Sequence, residues 1–237
     1  MSDQFVPIRL AGTAVLLRNS DDGIEVLLLR RNAKLAFAGG AWVFPGGAID
    51  RDELEAAASE QEAAVAATAR EIGEECGLKV PEQDLVHFCN WTTPEGEKRR
   101  FATWFFVAKV GEGSGNVMID NGEIHESQWI RPQKAINLHH NGELTLMPPT
   151  YLSLSLLKHY ETAELACCAL AARKPYDVTP RLCRLQDEIV CLYPGDGGYS
   201  SIDATLPGPR HRSVFTSRGL LYYHSGDDVG LMSMDQP

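Results

Sequence analysis

One short segment gathers residue types that could do chemistry. Arg70, Glu71, Glu74 and Glu75 fall within six residues of the run REIGEECGL. On a helix, positions i, i+3 and i+4 share a face, so Glu71, Glu74 and Glu75 present three carboxylates together. Left to itself, such a cluster makes each member costlier to ionise. A hard divalent cation removes that cost, and Mg²⁺ or Mn²⁺ takes oxygen ligands of this kind. The competing reading is a solvated helix face, the usual fate of a charge run. Val65, Ala69, Ile72 and Cys76, spaced four, three and four apart, offer an apolar stripe by which the same helix would pack on a sheet.

The elements that must position these groups lie on either side. Pro45-Gly46-Gly47 reads as a tight turn whose glycines let backbone approach another group closely. Ser59-x-x-Glu62 reads as a capping box opening a helix over about 60–76, and Gly77 as its C-cap. The whole stretch resembles the Nudix box, G-x5-E-x7-R-E-U-x-E-E-x-G-U, where U is a bulky aliphatic residue. Gly47 is followed after five residues by Glu53, and Arg70 to Leu78 fits the second half at every fixed position. The departure is in the middle, where sixteen residues (54–69) stand in place of seven. The nine extra residues are expected to form a longer loop or an extra helical turn.

The resemblance implies a Nudix hydrolase, in which water attacks phosphorus in a nucleoside diphosphate linked to another group. It implies that Glu71, Glu74 and Glu75 hold Mg²⁺ or Mn²⁺, with the Gly47 carbonyl as a further ligand. Arg70 would pair with a neighbouring carboxylate such as Glu53 and brace loop against helix. Glu74 or Glu75 could serve as base, as could a loop residue. Glu123, six residues before Trp129, is the candidate carboxylate from outside the box, with Glu126 as the runner-up. Arg30, Arg31, Lys34, Arg99 and Arg100 are candidates to hold substrate phosphates. Trp91 and Trp104 could stack a base or pack in the core.

The branch is suggested by LLLRRNAKLAFAGGAWVFPGGAID, which resembles a coenzyme A diphosphatase signature. Leu27, Leu28, Arg31, Gly40 and Phe44-Pro45-Gly46-Gly47 match it, whereas Ala36 and Asn32 depart from it. The peroxisomal-type coenzyme A diphosphatases are a closer resemblance. They share the long insertion, a Trp-x-Thr-Pro turn followed by Arg-Phe-x-Thr-x-Phe-Phe (here Trp91 to Phe106), and a Pro-Pro-Thr helix opening. The implied substrate is coenzyme A or acyl-coenzyme A. The alternatives are an ADP-ribose, NADH or dinucleoside-polyphosphate pyrophosphatase, or a catalytically weak nucleotide-binding protein.

The net charge of −10 and pI near 5.2 argue against a general nucleic-acid or membrane-surface binder. No signal peptide or membrane span is read, and the C-terminus lacks a Ser-Lys-Leu-type ending, so a cytoplasmic protein is expected. The six cysteines, without metal-type spacing, are expected to be buried reduced thiols, with a Cys183–Cys191 bridge as the lesser option.

The expected fold is α/β, a Nudix-type mixed β-sheet α/β/α sandwich with a C-terminal helical and β-rich extension. A Nudix domain would span 5–146 and the extension 147–237. Strands are expected at 8–18, 24–29, 42–44, 85–91, 100–110 and before Ile130, with a short helix from Arg131. Tyr151 to Arg173 reads as one helix, with Leu152, Leu156, Tyr160 and Leu165 as its core stripe. In the tail, strands are expected at Glu188–Tyr193 and Gly219–His224. Arg210-His211-Arg212 could fold over the site, and His139-His140 would lie in an exposed loop. A homodimer is a further possibility carried by the resemblance.

Overall fold

The structure is a computed structural model that describes residues 6–34, 38–111, 116–119, 122–225 and 233–237. The signature position Ala36 and the expected domain start at residue 5 lie outside them.

The chain opens with a long strand, β1 (Ile8–Ser20), that turns at Asp21-Asp22 into β2 (Gly23–Arg31). Ala11 to Leu17 are all buried, so β1 is covered on both faces. Val15 and Leu17 enter one core, and Ala14 and Leu16 enter the other. Around β1 and β2 lie β3 (Trp42–Val43), β4 (Gly46–Ala48), β5 (Val86–Thr92), β6 (Arg100–Lys109) and β7 (Ile124–Ile130). The main sheet runs β3-β2-β1-β6-β5, with β1 and β6 parallel, β4 paired to β1, and β7 paired to β2.

Ahead of α2 (Glu60–Cys76) lies a separate short helix, α1 (Arg51–Ala56), which carries Glu53. Only half of the expected capping box at Ser59 forms. Ser59 Oγ accepts from the Glu62 N–H at 3.2 Å, but the Glu62 carboxylate accepts from the Ala58 N–H at 2.9 Å. Gly77 ends α2 at φ 68°.

The buried face of α2 is wider than the expected stripe. Val65 and Ala69 pack half-buried beside Ile72 and Cys76, and Ala63, Ala64, Ala67, Thr68 and Glu75 are buried as well. The cause is the close approach at Gly12. A Cβ there would lie 2.2 Å from Thr68 Oγ1 and 2.9 Å from the Ala64 carbonyl, so the helix rolls this face onto β1.

The opposite layer holds α3 (Pro132–His140), α4 (Pro148–Leu157) and α5 (Ala163–Ala172). The single helix expected over 151–173 is therefore two. Thr162 starts the second, with Oγ1 accepting from the Leu165 N–H at 3.2 Å, and Asn19 Oδ1 of β1 accepts from the Ala163 N–H at 2.8 Å. The restart changes the phase, which leaves Leu165 exposed.

His139 is not in an exposed loop. It is buried at the end of α3, where Nε2 accepts from the Leu220 N–H at 2.8 Å and Nδ1 donates to the Leu144 carbonyl at 3.0 Å. Burial pushes its pKa down, consistent with a neutral ring.

The extension adds β8 (Tyr176–Val178), which joins the main sheet beside β5. Then β9 (Arg181–Leu185), β10 (Glu188–Leu192), β11 (Arg210–Thr216) and β12 (Gly219–Ser225) form a second, antiparallel sheet. Tyr193 and Leu220 enter the same core as Trp91. All six cysteines are free, with Cys168 exposed rather than buried, and Cys183 registers opposite Val190 rather than Cys191. Among the described residues, no helix is long and apolar enough to cross a membrane.

Candidate active site

The Gly turn is held on β1 by bonds that do not involve the carboxylates. The Pro45 carbonyl accepts from the Ala14 N–H at 2.9 Å and from Thr13 Oγ1 at 2.8 Å. Gly46 to Ala48 then pair with Ala11 to Thr13, so the turn becomes a strand pinned to β1. The C-terminal half of α2 lies directly against it. A Cβ on Gly47 would sit 2.2 Å from Glu71 Oε1, so only glycine leaves room for that carboxylate. The Gly46 N–H donates to Glu75 Oε2 at 2.9 Å, a contact the sequence reading did not contain.

The three glutamates of the helix are not equivalent. Glu74 is 60% exposed and the Glu71 side chain 16%. Glu75 is 8% exposed and belongs to the buried face. Burial pushes the Glu75 carboxyl up to about 7. The Gly46 N–H and Arg31 act against that shift, and Glu71 and Glu123 add to it. Burial also raises Glu71, with Arg70 opposing.

Arg70 ties the cluster together. Its Nε donates to Glu53 Oε1 at 2.9 Å and its Nη2 to the Ala48 carbonyl at 3.2 Å. Its Nη1 is shared between Glu71 Oε1 at 2.8 Å and Glu74 Oε2 at 2.9 Å. Glu53 is itself placed by α1, where its Oε2 accepts from the Asp50 N–H at 2.8 Å. Burial alone would raise the Glu53 carboxyl, but the bonds from Arg70 and the Asp50 N–H outweigh it and leave it below the usual range. The Asp50-x-x-Glu53 capping pattern was present in the sequence and could have located α1.

From the other edge, Arg31 Nη2 reaches Glu123 Oε2 at 3.2 Å. Both residues act electrostatically on Glu75, which places them at the same cluster. Arg31 Nε is buried and has no hydrogen-bond partner among the described residues. Arg30 is not beside it. Leu28 enters the core opposite α2, and by strand alternation Arg30 faces that side too, paired with Glu126 at 3.2 Å.

Arg100 bonds within its own hairpin, its Nε donating to the Thr93 carbonyl at 3.1 Å. Trp91 is a core residue, edge-on to Tyr193 at 5.6 Å, and Trp104 packs on His87 at 4.6 Å. The 210–212 segment does not fold over the site. Arg212 is buried in the second sheet against Asp196.

The donor set around Gly47 is oxygen only: the Glu71 and Glu75 carboxylates, with Glu74 and Glu123 at the rim. Such hard oxygen donors, with Glu71 and Glu75 made reluctant to ionise by burial, suit Mg²⁺ or Mn²⁺. Among the described residues, no three acidic, imidazole or thiol side chains are already converged in coordination geometry. Glu74 instead shares Arg70, and Glu123 is drawn to Arg31.

The model of the NUDIX domain matches residues 8–148, more than half of the chain. A curated relative described as "Putative nudix hydrolase 7" from Caenorhabditis elegans is 23% identical over 210 residues, covering 74% of this chain and 70% of that protein. A crystal structure of a NUDIX hydrolase from Alicyclobacillus acidocaldarius superposes with a TM-score of 0.63 at 24% identity. It covers 72% of this chain and 100% of that one. The turn, the helix and the match across them agree, and the chain belongs to the Nudix family as a Nudix hydrolase.

Proposed function

We propose that the chain hydrolyses the diphosphate bond of coenzyme A or acyl-coenzyme A with a divalent cation held by Glu71, Glu74, Glu75 and Glu123. The observation that carries the hydrolytic reading is the seating of Glu71 and Glu75 on Gly46-Gly47. There the glycine backbone leaves space for one carboxylate and gives an N–H to the other. A divalent cation, when bound, neutralises phosphoryl oxygens and lowers the pKa of coordinated water. The chain's own residues do the rest. Arg70 holds α1, the Gly strand and α2 in one arrangement. Arg31, whose buried Nε has no partner among the described residues, is the candidate donor to a phosphate oxygen next to the carboxylates. The Gly47 carbonyl remains a candidate further ligand.

Coenzyme A as the substrate is supported by sequence resemblance: the long spacing between Glu53 and Arg70 and the Trp91 to Phe106 pattern. The test is a product panel with Mg²⁺ or Mn²⁺ and coenzyme A, acetyl-coenzyme A, ADP-ribose, NADH or a dinucleoside polyphosphate. Release of 3′,5′-ADP from coenzyme A by wild type, and not by Glu74→Gln/Glu75→Gln, is expected. Turnover of another diphosphate with coenzyme A left intact would discard the substrate and keep the site. No turnover of any member would favour a nucleotide-binding role.

A further inference from the structure

We propose that His139 and His140 form a clamp by which α3 holds the second sheet, and that acid releases β12 from it. The two rings take both backbone groups of one residue. The Leu220 N–H donates to His139 Nε2 at 2.8 Å, and His140 Nε2 donates to the Leu220 carbonyl at 3.2 Å. Leu220 is fully buried, so neither group has water to turn to when its ring lets go.

The ring of His139 is seated tightly. Gly219 has a φ of 93°, and a Cβ there would lie 2.7 Å from His139 Nε2. At Nδ1 the ring meets the Leu144 carbonyl at 3.0 Å and the Leu146 N–H at 3.2 Å. A proton on Nδ1 serves the carbonyl and leaves the Nε2 lone pair for Leu220. A proton on Nε2 would instead point at the Leu220 N–H. The neutral ring protonated at Nδ1 is the form that fits. The two histidines then answer acid differently. His140 donates from Nε2 whether neutral or charged. His139 needs a lone pair at Nε2, and an imidazolium has none. Its protonation sets two N–H groups against each other in a buried joint.

The groups around His139 do not offset this. His140 on α3 and Tyr151 on α4 have ring centroids 5.8 and 5.6 Å away. Tyr222, Tyr223 and His224 lie on β12, with Arg218 on the turn before it. Glu143 accepts from Asn141 Nδ2, Arg30 and Glu126 of the main sheet pair with each other, and Asp235 acts on Tyr151. Burial pushes the His139 pKa down, the Leu144 carbonyl opposes, and His140 adds to the depression. The docked state therefore binds fewer protons than the released one. Docking weakens as pH falls below the ordinary histidine value of about 6.5.

The test is amide hydrogen exchange of the full chain, followed over residues 219–225 and corrected for its intrinsic pH dependence. From about pH 7.5 to 5.5, wild-type protection there should fall several-fold. The limit is about tenfold, for one proton one unit below the ordinary value. Protection of β1 should hold. His139→Gln offers a neutral oxygen to the Leu220 N–H, so its protection should not depend on pH. His140→Gln keeps a donor and should lose protection in acid as wild type does. An acid loss in His139→Gln equal to that of wild type would assign the effect to another group, such as His211 or His224, and overturn the clamp. Wild type alone also decides: no loss over 219–225, or an equal loss at β1, would overturn it even if neither variant folds.

Discussion

At the C-terminal sheet, Asp196 and Arg212 face each other one to one. Arg212 Nε donates to Asp196 Oδ2 at 2.7 Å, Nη2 to Oδ1 at 2.5 Å, and Nη1 to the Ala204 carbonyl at 2.8 Å. The His211 and Gly198 N–H groups complete the carboxylate, each at 2.8 Å. Burial would raise the Asp196 pKa, but these bonds bring it below its ordinary value. At the Gly turn, one arginine is spread over Glu53, Glu71 and Glu74, and Glu75 has one backbone N–H and a pKa pushed up to about 7. The ingredients are alike and the outcomes opposite. A closed pair has no capacity left and can only hold the fold. An open cluster with more acids than donors is completed only by something from outside, which is what a metal-binding site requires.

The largest expected effect breaks the closed pair. Arg212→Ala leaves Asp196 buried without its partner and should lower unfolding free energy by about 3–5 kcal/mol in urea titration. A loss below about 1 kcal/mol would show that the pair is not closed in solution. The matching change at the open cluster is Glu71→Gln. Hydrolysis should fall by on the order of a hundredfold or more, because several kcal/mol of charge stabilisation depend on metal ligation. Unfolding free energy should stay level or rise, since a partly buried like charge is gone. If Glu71→Gln unfolds as readily as Arg212→Ala, the two regions are not different in kind.

Next in size is the pH dependence, where the two acids should pull in opposite directions. The folded pKa of Glu75 is raised from about 4.5 to about 7, so the folded state binds more protons than the unfolded one between those values. Without a divalent cation, that site therefore costs stability as pH rises from about 4.5 to 7, by about 2–3 kcal/mol at most. Asp196 is shifted down, so its contribution is present above its ordinary value and is lost as pH falls through the depressed one. Glu75→Gln should flatten the loss near neutrality and leave the acid limb unchanged. Equal slopes for wild type and Glu75→Gln between pH 5 and 7 in EDTA, about the window just named, would remove the raised pKa from the account.

What could be read from the chain follows the range of the forces involved. The Gly turn and the span of α2 were legible because caps, turns and i+3/i+4 spacing act within a few residues, whereas the Arg70–Glu53 pair, seventeen residues apart, was expected only from the family resemblance. The burial of Glu75 was not, because the roll of α2 on the sheet is decided by Gly12 against Thr68, more than fifty residues apart in the chain. The break between α4 and α5 left only Thr162 as a sign, with no glycine or proline between Tyr151 and Arg173 to mark it. Arg212 looked available for phosphate because its partner, Asp196, lies sixteen residues upstream in a loop. Arg30 and Arg31 looked like a pair in sequence, but a strand sends neighbours to opposite faces.

The smallest expected effect tests whether the open cluster tolerates slack in its scaffold. Ser59 caps α2 at the end opposite to Glu71, Glu74 and Glu75, so Ser59→Ala removes one hydrogen bond without touching the acids. Loss of such a cap costs about 1 kcal/mol of stability. Arg70 bonds Glu53 of α1 and the Ala48 carbonyl, so the C-terminal half of α2 is held independently of its first turn. Metal-dependent kcat/KM per folded molecule should then be unchanged, while the urea midpoint shifts by that small amount. Thr162→Ala, the equivalent cap on α5, gives the reference for a helix with no part in the site. If Ser59→Ala lowers turnover and Thr162→Ala does not, the carboxylates are positioned by the whole of α2 rather than by the Arg70 brace alone.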